Sequence, residues 1–98
     1  MNIQALMREA QKLQKEMMKE KEIIDSTIYE GESSFVKVKV NGKKEIVEVN
    51  IAQESMDKED IEMLQDILQV AINEAMKKID KDTEDKMGKY TKGMPGLF

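Results

Sequence analysis

The stretch DKDTEDKMGKYT, residues 80–91, sets Asp80, Asp82 and Glu84 at alternate positions, the way a calcium-binding loop begins. An EF-hand loop needs glycine at its sixth position for a sharp turn and a bidentate glutamate at its twelfth. Those positions hold Asp85 and Thr91, so the motif fails. A solvated helical end is the better reading, with Asp82–Lys86 and Asp85–Lys89 as pairs four residues apart. The chain has no histidine and no cysteine. That removes the commonest general base, thiol nucleophiles, disulfides and thiolate or imidazole zinc sites. Ser26, Ser33, Ser34 and Ser55 have no histidine to activate them, and no phosphate loop or dinucleotide fingerprint occurs. The expectation is a protein that is not an enzyme and needs no metal and no cofactor.

The remaining chemistry is that of positive charge. Arg8, Lys12, Lys15 and Lys19 are spaced four, three and four residues apart, which places them on one face of a helix. Lys77, Lys78 and Lys81 form a second group, followed by Lys86, Lys89 and Lys92. Lysine and arginine contact phosphates without reading bases, so both groups are candidate duplex DNA contacts. The formal net charge of −4 opposes this reading. Its distribution opposes it less: residues 1–24 carry one basic group in excess, and the acidity is concentrated in residues 25–60. A merely solvated helix face is the alternative. A membrane-lying helix is disfavoured, because Glu9, Glu16, Glu20 and Glu22 share the segment and no aromatic anchor is present.

The elements that must position these charges follow from periodicity. Ile3, Leu6, Ala10, Leu13 and Met17 alternate at steps of three and four, the seam of a coiled-coil-like helix over residues 1–24. Glu20 interrupts the seam, and the basic stripe lies away from it. Residues 26–52 read as a meander of three antiparallel strands. The first is Ser26–Glu30 with a turn at Gly31–Ser34, and Val36, Val38 and Val40 then alternate with Lys37 and Lys39. Asn41-Gly42 signals a hairpin through residues that tolerate positive φ. A four-residue loop, Asn41 to Lys44, is also open and sets Val38 opposite Val47. Val47, Val49 and Ile51 continue the apolar face, and Gly31 and Gly42 read as turn glycines.

A helix over residues 57–88 covers that face, capped by Ser55 or Asp57, with Glu59 and Asp60 in its first turn. Its apolar stripe runs through Ile61, Leu64, Leu68, Ala71, Ile72, Ala75, Met76 and Ile79. The predicted fold class is therefore α+β, in the order α-β-β-β-α. At about 45 Å this helix outruns a strand of about 25 Å, so it overhangs its own sheet. A chain of 98 residues is one small domain, and small domains often complete their cores by self-association. An intertwined homodimer is expected, with Leu64, Leu68, Ile72, Met76 and Ile79 as core and dimer residues. The nine methionines are adaptable core filler. No apolar leader opens the chain and no 18 apolar residues run together, so a cytoplasmic protein is expected.

Residues 89–98 form a tail ending in Lys-Gly-Met-Pro-Gly-Leu-Phe. Gly93, Pro95 and Gly96 stop the helix, which leaves Met94, Leu97 and Phe98 free to fold back or reach across a dimer. A mobile end is the alternative.

LMREAQKLQKEM, VKVKVNGKKEIVEVNI, MLQDILQVAINEAMKKI and the terminal GMPGLF, in this order, resemble the YbaB/EbfC family of nucleoid-associated proteins. The likeness spans nearly the whole chain. It departs in the short GESS turn and in lacking the Gly/Phe/Met-rich lead that many members carry. The resemblance implies a tweezer-shaped homodimer that binds DNA with little sequence preference in the nucleoid. It also implies a role in chromosome organisation and gene regulation. Family members are often encoded near replication and recombination-repair genes, which makes a replication or repair protein a candidate partner. A dimeric adaptor for such a partner, without DNA binding of its own, is the competing reading.

Overall fold

A computed structural model describes residues 2–91; the GMPGLF ending and Lys92 lie outside the described residues. Helix α1 runs Ile3–Ser26, strands β1, β2 and β3 run Ile28–Ser33, Val36–Asn41 and Ile46–Ile51, and helix α2 runs Lys58–Thr91. Asn2 caps α1, its side-chain oxygen accepting from the N–H groups of Gln4 and Ala5. The sequence reading stopped this helix at residue 24, but it continues through Ser26. The Ser26 and Thr27 hydroxyls turn back onto the carbonyls of Glu22 and Ile23, which would otherwise be unpaired at the helix end.

The sheet is an antiparallel meander in the order β1-β2-β3. Alternation along β2 is as expected: Val36, Val38 and Val40 are fully buried, and Lys37 and Lys39 point away. With Tyr29, Ala71, Ala75 and Ile79 these valines form one continuous core between sheet and helix. Leu64, Leu68, Ile72 and Met76 pack against its rim, half-buried. Ile61, at the start of the expected stripe, is exposed.

Gly31 corrects the sequence reading. It lies inside β1 opposite Val38, and not in a turn. A Cβ there would sit 1.8 Å from the Ala71 carbonyl oxygen, so only glycine lets α2 settle this close to the strand. The turn falls instead at Ser34, with φ of 51°. Gly42 works similarly: a Cβ would stand 1.9 Å from the Ile24 carbonyl oxygen, where the second hairpin meets the end of α1.

In the second hairpin Lys44 takes the positive φ, 67°. Asn41 holds the loop, its carbonyl oxygen accepting from the Lys44 N–H and its side-chain oxygen from the N–H groups of Lys43 and Glu45. Val38 pairs with Val49, not Val47, because the register shifts between Lys39–Glu48 and Val40–Ile46. Val47 is the extra residue of that β-bulge.

Helix α2 starts with Asp60 accepting from the Asp57 N–H, half of a capping box. It continues through Gly88 to Thr91. At 34 residues it spans about 51 Å, yet the molecule is 71 Å long. The difference is α1. Its end packs on α2 and β2, with Ile24 buried, whereas residues 3–16 are all exposed. The first half of α1 is an arm that leaves the body.

Candidate nucleic-acid interface

Arg8, Lys12, Lys15 and Lys19 all lie on the exposed surface of α1, and Arg8, Gln11, Lys12 and Lys15 border a shallow hollow along the arm. None of the four basic groups is within ion-pair distance of a carboxylate among the described residues. Arg8–Lys12, Lys12–Lys15 and Lys15–Lys19 are like-charge pairs three or four residues apart, although Glu9, Glu16 and Glu22 stand at similar spacings from Lys12 and Lys19. Each such pair costs an isolated helix roughly 0.2–0.5 kcal/mol, a cost that a bound polyanion would reverse. Ile3, Leu6 and Leu13, at 69%, 50% and 50% exposure, leave the seam on the same arm bare as well.

The second predicted group divides. Lys77 and Lys81 are exposed and without an ion pair among the described residues. Lys78 is engaged: its ammonium donates to the Glu30 carbonyl oxygen at 2.7 Å and lies 3.5 Å from Glu74. It ties α2 to β1. These lysines belong to the body, so the structure leaves them as a patch separate from the arm stripe.

A cleft of about 490 Å³ marks the joint between arm and body. Its floor is Ile24, Ile79 and Met87, all buried, and Gly42 gives the hairpin its close approach. Two ion pairs at 3.0 Å, Lys21–Asp25 and Lys44–Asp80, border it, the second fastening the hairpin to α2. This joint sets the direction in which α1 carries its stripe away from the body.

The carboxylates that resembled a calcium loop serve separate purposes. Asp80 holds Lys44. Asp82 accepts from the Tyr29 hydroxyl at 2.6 Å and from Lys86 at 3.0 Å, locking β1 to α2. Burial, and then Asp82 beside it, pushes Tyr29 up to about 12. The Tyr29 hydrogen bond, helped by Lys86, holds Asp82 below its ordinary value against the opposing effect of burial. Sequence reasoning found the Asp82–Lys86 spacing but missed Tyr29, which is 53 residues away. No local pattern encodes that pairing.

The description of one family model, the YbaB/EbfC DNA-binding family, fits residues 1–94. A nucleoid-associated protein of Ligilactobacillus salivarius is 42% identical over 99 residues, covering 99% of this chain and 95% of its own. One from Chloroflexus aurantiacus is 42% identical over 100 residues, with all of both chains covered. Among solved structures, the crystal structure of an uncharacterized protein from Helicobacter pylori superposes with a TM-score of 0.76 at 26% identity. It covers 92% of this chain and 97% of that one.

Proposed function

The chain belongs to the YbaB/EbfC DNA-binding family, and from that premise we propose that it binds duplex DNA as a homodimer, through the phosphate backbone and with little sequence preference. One observation carries the reading. Four basic side chains stand in a row on an arm that leaves the body, and no carboxylate among the described residues neutralises them. Lys77 and Lys81 are the secondary contacts, and Lys78, held by Glu30 and Glu74, contributes less.

The stripe contains one arginine and no aromatic wedge, which suits phosphate contact and not base readout. Four phosphates neutralised by one arm give a slope of log affinity against log salt of about −3.6, and two arms about −7. A second copy supports the reading because it adds a second stripe at high effective concentration, which offsets the net charge of −4. Val49 and Ile51 of β3, 47% and 38% exposed, supply apolar surface for it. In the cell this activity fits organisation of the chromosome and an influence on gene expression.

The bare seam of Ile3, Leu6 and Leu13 favours a second reading, a dimeric adaptor that docks a replication or repair protein on the arm. A salt titration of duplex binding by wild type and by the Lys12→Glu, Lys15→Glu double variant decides between them. Backbone binding predicts a steep salt slope in wild type and at least tenfold weaker binding with a shallower slope in the variant. Unchanged affinity and slope reduce the stripe to a solvated face, and no wild-type binding at low salt leaves the adaptor.

A further inference from the structure

We propose that residues 92–98, Lys-Gly-Met-Pro-Gly-Leu-Phe, continue the track of α2 and cover the arm seam of their own chain at Leu13 and Ala10. Neither DNA binding nor a second copy is needed for this contact. Met17, Glu20 and Ile24 prolong the row of Leu6, Ala10 and Leu13 at the same steps of three and four. Exposure falls along that row, from 50% at Leu13, through half-buried Met17 and Glu20, to 3% at Ile24. Ile24 lies in the cleft with Ile79, Thr83 and Met87, so α2 is what covers this end of the row.

The two helices run antiparallel, and the 71 Å length of a molecule only 21 Å by 14 Å across requires it. About 35 Å of α2 precede the level of Ile24, and about 32 Å of α1 lie beyond it in the other direction. A parallel arm would fold back beside α2 and leave the length near the roughly 51 Å of that helix. Thr91 lies eight residues past Thr83 and twelve past Ile79, so α2 ends level with residues 12–16 of α1. That is where burial stops on α1: Met17 is half-buried, and residues 3–16 are exposed. The seam runs on past the end of its cover.

The residues that follow Thr91 have the reach and the composition for this place. Seven residues extend at most about 23 Å, and Ala10 is only about 5 Å along the helix from Leu13. Gly93, Pro95 and Gly96 oppose further helix, so the segment departs from the axis of α2 and lies across the seam. Met94, Leu97 and Phe98 supply three apolar side chains beside Ala10, the one small residue of the seam. The segment's only charge is Lys92, and the seam is flanked by Glu9 and Glu16. A seam-to-seam contact between two arms is a weaker fit, because Ile3 to Met17 spans about two heptads and a coiled coil is sustained by about three to four. Arg8, Lys12, Lys15 and Lys19 lie away from the seam and stay uncovered.

The chain has no cysteine and no tryptophan, so introduced probes report alone. A disulfide forms only where two Cβ atoms approach to roughly 3.5–4.5 Å. In the full-length Ala10→Cys, Leu97→Cys variant, mild oxidation should close a bond within one chain at least tenfold faster than in Arg8→Cys, Leu97→Cys. Ala10 and Arg8 stand about 200° apart around the helix, and a loose tether presents Leu97→Cys to both at similar effective concentration. In Phe98→Trp, indole emission should lie to the blue of a solvated indole, independent of protein concentration, and should move to the red when Leu13→Asp is added. Equal oxidation rates overturn the contact, as does emission that is already solvated or that Leu13→Asp leaves unchanged. A covalent dimer in place of the closed monomer overturns it too, since the segment would then be seated on a second copy.

Discussion

Body and arm differ in how they use their lysines, although among the described residues Lys77 and Lys81 of the body are as unpaired as those of the arm. In the body, Lys39, Lys44, Lys78 and Lys86 each hold a carboxylate within 4.0 Å, and three of the four connect separate elements or reach a backbone carbonyl. On the arm, Arg8, Lys12, Lys15 and Lys19 hold nothing among the described residues, although Glu9 and Glu16 lie on the same helix. Apolar residues repeat the contrast: Val36, Val38 and Val40 are fully buried, and Ile3, Leu6 and Leu13 are bare. Exposed ion pairs contribute only about 0–1 kcal/mol each, so the body's fastenings matter mostly for direction. The arm's four basic groups form no ion pair within their own chain among the described residues, which leaves them open to the external polyanion proposed above.

The contrast can be broken most forcefully with the same charge placed in each region. Val38→Asp puts a carboxylate into the centre of the core, where it has no partner, and should abolish cooperative folding. Leu6→Asp places the same group on the arm and should change stability by no more than about 0.5 kcal/mol. Thermal unfolding followed by circular dichroism compares them. Equal losses would mean that the arm is packed in solution.

A smaller effect sharpens the fastening of β1 to α2. Asp82 has a lowered folded pKa, so its stabilisation is complete above the ordinary carboxylate range and is lost as pH falls through the folded value. Tyr29 has a raised pKa, so the unfolded chain ionises first. Stability should hold below pH 10 and decline as pH rises from there to about 12. Tyr29→Phe should flatten the alkaline decline and shift the acid one upward in pH, measured by denaturant melts across the range. An unchanged pH profile would show that the hydroxyl–carboxylate contact does not persist in solution.

How much of this was legible beforehand depended on distance along the chain. The alternation at Val36–Val40 and the four-three-four spacing of the stripe are local patterns, and both describe real faces. Gly31 was misread because a glycine needed for close approach of Ala71 looks in sequence like one needed for a turn. The register of β3 was misread because a bulge at Val47 leaves no mark in the alternation. The unpaired state of the stripe was also hidden: glutamates stood at suitable spacings, and only the structure shows that no pair forms. Nothing local connects Tyr29 with Asp82 or Lys44 with Asp80.

The smallest expected effect on stability separates folding from binding. Lys12→Ala removes two like-charge spacings on α1, to Arg8 and Lys15, and two opposite-charge ones, to Glu9 and Glu16, so stability should change by no more than about 0.5 kcal/mol. The same change should weaken duplex binding and reduce the salt slope by about 0.9 for each arm. A variant that is equally stable and binds DNA equally well would remove Lys12 from the interface.

The arm also has a length, and that length fixes a ruler. From Arg8 to Lys19 the helix contains no glycine or proline that would bend it. Eleven residues at 1.5 Å each carry the charges along a straight rise of about 16 Å. Duplex DNA advances 3.4 Å per base pair, so one stripe laid along the helix axis is matched to about five base pairs, half a helical turn. Under the proposed backbone contact, such a ruler would measure occupancy in backbone length and not in letters. Its footprint should grow in steps of arms engaged, whatever sequence lies beneath them.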